Sequence, residues 1–90
     1  MIVCRSKSEI DKLRQVNQLV ATILDELRRM VVPGVTTQEI DVRAEAQVRA
    51  AGAEPAFKGY HGYPATVCVS VNEQVVHGIP SSRKLVEGDV

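Results

Sequence analysis

Residues 67–80 read VCVSVNEQVVHGIP, and the fold class turns on them. Val67-Cys68-Val69-Ser70-Val71 is rich in β-branched side chains and nearly continuously apolar, which suits a strand buried on at least one face. Asn72-Glu73 can reverse the chain into Gln74-Val75-Val76-His77, and Gly78-Ile79-Pro80 stops the run, so the stretch predicts a β-hairpin. A turn centred there sets Val71 opposite Gln74 and His77 opposite Cys68.

Upstream the period changes from two to three-and-four. Ser6 and Glu9 have the spacing of a capping box, in which each side chain bonds the other residue's backbone N–H. Ile10, Leu13, Val16, Val20, Ile23, Leu24, Leu27, Met30 and Val31 then form one stripe of an amphipathic helix, expected to be buried. Pro33-Gly34 ends it. Thr36 and Glu39 form a second capping box for a helix over 37–51, whose apolar positions Ile40, Ala44, Val48 and Ala51 are mostly small, with Gly52 as its stop. A linker of about five residues predicts that the helices pack antiparallel or nearly so. The expected class is α+β: two antiparallel-type helices packed on a β-hairpin.

Downstream of the hairpin, residues 81–87 are polar apart from Leu85 and Val86. Gly88-Asp89 is a turn signal, and Val90 reads as the first residue of another strand. Such an ending is expected of a chain cut from a longer one; a frayed terminus is the alternative.

Composition narrows the function. Eleven Lys and Arg balance eleven Asp and Glu, so no net field draws the chain to nucleic acid or to an anionic membrane. No stretch reaches transmembrane length, and MIVCRSKSE carries too few apolar residues for a signal peptide. Cys4 and Cys68 match no metal or redox spacing, and reduced thiols without a secretory signal predict the cytoplasm. The carboxylates Glu9, Asp11, Asp25, Glu26, Glu39, Asp41 and Glu45 alternate with Arg and Lys and read as solvated helix faces and caps.

The aromatic residues are placed unusually. Phe57, Tyr60 and Tyr63, the chain's whole aromatic content, lie in one loop with His61, punctuated by Gly59, Gly62 and Pro64. That loop feeds the hairpin end carrying Cys68 and His77. Rings gathered on a loop are better placed to wall a pocket than to fill a core. Each residue also has a plainer role: a tyrosine as a lid over the core, His61 as an ordinary loop histidine, Cys68 as a small core hydrophobe. His77, ending an apolar strand beside Gly78, is the most suggestive. No HExxH, phosphate loop or nucleophile elbow occurs, and two histidines without convergent carboxylates do not hold a catalytic metal.

The run from Pro55 to Pro80, PAFKGYHGYPATVCVSVNEQVVHGIP, resembles the N-terminal half of a type I methionine aminopeptidase, as does VVPGVTTQEID from Val31 to Asp41. The likeness covers essentially the whole chain and keeps GYHGYP and VHGIP in order and spacing. It implies a pita-bread (creatinase/aminopeptidase-like) fold, with residues 1–90 as the N-terminal half of a single domain. It further implies removal of the initiator methionine from nascent polypeptides by a complete enzyme that is a monomer. That hydrolysis is assisted by two divalent metal ions (Co, Mn, Fe or Zn). By the same resemblance His77 is catalytic and contacts substrate beside the scissile bond. Phe57, Tyr60, Tyr63 and Cys68 line or border the methionine pocket, and His61 borders it too. The family's five metal ligands, two Asp, one His and two Glu, lie beyond Val90. No metal is therefore expected to bind these 90 residues alone, and alone the chain is expected to be inactive. Two other readings remain: a non-catalytic binding module using the aromatic loop, and a piece of a prolidase-like pita-bread peptidase.

Overall fold

A computed structural model describes Met1–Val90. Helix α1 spans Lys7–Met30 and α2 spans Thr37–Ala50, with a single 3₁₀ turn at Tyr60–Gly62. The ends of the helices follow local chemistry. Ser6 Oγ accepts from the Glu9 N–H at 3.2 Å while the Ser6 N–H donates to Glu9 Oε1 at 2.9 Å, completing the expected box. At α2 only half of the second box forms. The Glu39 N–H donates to Thr36 Oγ1 at 3.1 Å, and Thr36 enters the helix from an antiparallel bridge to Lys84 that fixes the approach. Gly52, at φ 76°, closes α2 in a Schellman motif: its N–H donates to Arg49 O, and the Ala53 N–H to Val48 O.

The core gathers where these parts meet. Ile23 and Leu27 of α1 pack with Ile40 and Ala44 of α2, Val71 and Leu85. Val67 and Val69 are half-buried against the same cluster. The alternation of 67, 69 and 71 towards the core, expected of a strand, is therefore present.

The hairpin ladder is not. No strand forms; beyond the Gln74 N–H to Val71 O bond of the turn, the arms share one backbone hydrogen bond, Val69 N–H to Gly78 O at 2.8 Å. Side chains replace the ladder elsewhere. Gln74 Oε1 accepts from the Val71 N–H at 2.9 Å, and Ser70 Oγ from the Gly78 N–H at 3.0 Å. Asn72 (φ 54°) and His77 (φ 59°) sit in the left-handed region, which ends the extended run at both ends of the returning arm. That arm is solvated, with Val75 82% and Val76 70% exposed.

The stripe on α1 also departs from expectation. Only Ile23 and Leu27 of it are buried, whereas Ile10, Leu13, Val16, Val20 and Leu24 are exposed. Length accounts for this. The 24 residues of α1 run about 36 Å, and the 14 of α2 about 21 Å, so α2 covers only the C-terminal part of α1. No helix is long and apolar enough to cross a membrane.

Candidate functional site

The aromatic loop is shaped by its glycines. Gly59 (φ 81°) and Gly62 (φ 77°) supply left-handed turns on either side of His61, itself at φ 48°. The Tyr60 N–H donates to Phe57 O, the Tyr63 N–H to Tyr60 O, and the Gly59 N–H to Tyr63 O, so the loop closes on itself.

Tyr63 joins this loop to both arms of the hairpin region. Its hydroxyl donates to Val67 O at 2.9 Å, with Gly78 O at 3.3 Å as a second acceptor. Burial, with the Cys68 thiol beside it, pushes the phenol up to about 12, so Tyr63 remains a donor across the physiological range.

Phe57 packs edge-on to Tyr63, with ring centroids 6.0 Å apart, and edge-on to His77 at 6.4 Å. Cys68 Sγ lies 3.5 Å from His77 Nδ1, so the pairing expected around the Asn72-Glu73 turn brings these side chains together although the ladder is missing. His77 Nε2 has no protein partner. Tyr60 and His61 form a separate edge-on pair at 4.3 Å. An open pocket of about 460 Å³ lies between the two groups, lined by Phe57, Tyr60, His61, Tyr63, His77 and Ile79. All six residues expected from sequence thus come to one place. Five line the pocket and Cys68 stands behind His77.

Asp41 and Glu45, which the sequence pattern assigns to a solvated helix face, instead take hydrogen bonds from the segment around the site. Asp41 Oδ1 accepts from the backbone N–H groups of Thr66 and Val67, at 2.8 and 2.9 Å. Glu45 Oε1 accepts from Lys58 Nζ at 2.5 Å and from Thr66 Oγ1 at 3.1 Å, and Oε2 from Arg49 Nε at 2.9 Å. The available signal was position: Asp41 and Glu45 each follow a buried residue, Ile40 and Ala44, so they border the packed face.

No group of three or more His, Cys, Asp or Glu side chains converges in the chain. These residues therefore do not fit a metal centre, and no chemical step can be derived through one from them.

Residues 11–90 match the family described as Metallopeptidase family M24. The chain is 44% identical over 90 residues to methionine aminopeptidase 1 of Bacillus subtilis, covering all of itself and 36% of that relative. It is 48% identical over 86 residues to the methionine aminopeptidase of Borreliella burgdorferi, covering 96% of itself and 34% of the relative. The crystal structure of methionine aminopeptidase from Rickettsia prowazekii superposes with a TM-score of 0.95 at 34% identity, over 99% of this chain and 36% of that one. That from Thermotoga maritima gives 0.92 at 42% identity, with the same coverage. The chain thus spans about a third of the length of these relatives, and its backbone follows their path even where the hairpin ladder is absent. With the match running through both helices, the aromatic loop and the His77 segment, the chain belongs to metallopeptidase family M24.

Proposed function

We propose that this chain supplies the methionine-side-chain pocket, and a histidine that contacts substrate, to an enzyme removing the initiator methionine from nascent polypeptides. The observation that carries the reading is the convergence of Phe57, Tyr63 and His77 on one side of an open pocket, with Tyr60 on the other. A thioether laid between ring edges gains roughly 0.3–1.5 kcal/mol for each sulfur–aromatic contact. Ile79 adds apolar wall, and Cys68 adds polarisable bulk behind His77. The Cys68 thiol occupies His77 Nδ1, which leaves Nε2 to hydrogen-bond the substrate amide beside the scissile bond.

The family is a metallopeptidase family, and methionine removal by two divalent ions requires ligands other than those present in these 90 residues. What these residues do is bind and orient the amino-terminal side chain and exclude water around it. The complete enzyme is taken as cytoplasmic, from the lone cysteines, and monomeric, from the family resemblance; the chain's balanced charge of eleven against eleven adds no field towards nucleic acid or membrane.

The test is a chimera in which this chain replaces the matching N-terminal part of the Bacillus subtilis relative. His77→Ala should lower kcat by roughly 10²–10³ with bound metal unchanged, the scale of a lost transition-state hydrogen bond. Tyr60→Ala should instead raise KM and blur selectivity for methionine, because it removes wall and no polar contact. Near-normal turnover of the His77→Ala chimera, or loss of its metals, would refute the assignment.

A further inference from the structure

The loop that walls the pocket is short and glycine-rich, and its backbone bonds are all to itself. On the His77 side the Tyr63 hydroxyl ties the loop to Val67 O and Gly78 O. The two ends of the loop are placed from α2. Lys58 and Thr66 flank the segment Gly59–Ala65, and both donate to one atom, Glu45 Oε1, at 2.5 and 3.1 Å. One helical turn earlier, Asp41 Oδ1 receives the N–H groups of Thr66 and Val67. Both ends of the loop are therefore tied to carboxylates on one face of one helix.

We infer that Glu45 and Asp41 are positioning residues for the pocket, holding the Phe57–Tyr63 loop at a fixed distance from His77 and Cys68 and so setting selectivity for the first side chain. The inference rests on the methionine-pocket reading above. Several features make the pair suited to the task. Glu45 is itself braced by Arg49, one turn further along α2, with Nε 2.9 Å from Oε2. Its partners, Lys58 foremost and then Arg49, hold its carboxyl down to about 2, so it carries full charge wherever such an enzyme works. Closing a loop at one atom also removes most of the freedom its ends would have, and ring placement then depends on that closure. The far end of α2 is anchored in turn. The Thr37 hydroxyl donates to Ser81 O and accepts from the Ser81 N–H, while the Gln38 N–H also donates to Ser81 O. One rigid helix thus refers the aromatic loop and the segment just after Val-His-Gly-Ile-Pro to a common frame.

The test uses the same chimera, assayed on tripeptides beginning with methionine, norleucine or leucine. Glu45→Gln should raise KM for the methionine peptide roughly tenfold, lower the preference for methionine over leucine, and change kcat less than KM. Lys58→Met should do the same, the double variant should be no worse than either single one, and Lys58→Arg should retain selectivity. Parent-like KM and selectivity in Glu45→Gln, additive effects in the double variant, or loss of kcat alone would each overturn the inference. A parent chimera that holds metal but is inactive would refute the proposed function instead. The clamp is then decided on the 90-residue chain by amide exchange at Thr66 and Val67. Faster exchange in Asp41→Asn and Glu45→Gln supports it; unchanged exchange, or no protection in the parent, overturns it.

Discussion

Replacing Gly78 by alanine should open the site from its back. A Cβ at Gly78 would fall against the Val69 carbonyl, with Val69 C at 2.8 Å and Ser70 Cα at 2.9 Å. All three are backbone atoms, so no side chain can swing aside. The arms are held that close by the Val69 N–H to Gly78 O bond at 2.8 Å and the Gly78 N–H to Ser70 Oγ bond at 3.0 Å. Retreat to an ordinary separation of roughly 3.5 Å must stretch both. Overpacking costs about 1–3 kcal/mol and a lost hydrogen bond about 1, so the local penalty is about 2–4 kcal/mol. His77 precedes Gly78, and its contact with Cys68 at 3.5 Å should part with the arms. In the chimera, amide exchange at Val69 should accelerate by roughly 10²-fold, the equivalent of about 3 kcal/mol, and turnover should fall with it. Exchange within threefold of the parent, with His77 ring shifts unmoved, would show that the close approach is not what seats the histidine.

Other outcomes follow from the same contacts. Tyr63→Phe removes the donor to Val67 O and Gly78 O and should cost about 1–2 kcal/mol; in the parent, phenolate absorbance should show one tyrosine titrating near 12. Glu45 is depressed from 4.5 to about 2 by Lys58, Arg49 and Thr66, so its hold on the loop is complete above 4.5 and is lost as pH falls towards 2. A ¹³C carboxyl titration of Glu45 with a midpoint near 4.5 would contradict the clamp. The 90-residue chain should self-associate through the uncovered α1 face, where Leu13 is 50%, Val16 56% and Leu24 60% exposed. Sedimentation showing a concentration-independent monomer with a sharp thermal transition would overturn that expectation.

Features decided within a few residues were legible in the sequence. The Ser6–Glu9 box, the Pro33-Gly34 stop and the Gly52 cap depend on groups three to five positions apart, and they stand where the residue types put them. The inward alternation of Val67, Val69 and Val71 is likewise a property of an extended backbone and needs no ladder to appear. The aromatic pocket was legible because its rings sit together in the chain.

Features decided by distant partners were not. Whether residues 67–71 and 74–77 become strands depends on every backbone N–H finding a facing carbonyl, and Gln74 and Ser70 supply side-chain acceptors instead. Whether the α1 stripe is buried depends on the reach of α2, a length set by Thr36 and Gly52 and not by anything within α1. Asp41 and Glu45 carry the composition of a solvated face. Only the return of the chain from Lys58 to Val67 puts donors within 2.5–3.1 Å of them. A carboxylate's function depends on what is folded against it, and periodicity along one helix carries no information about that.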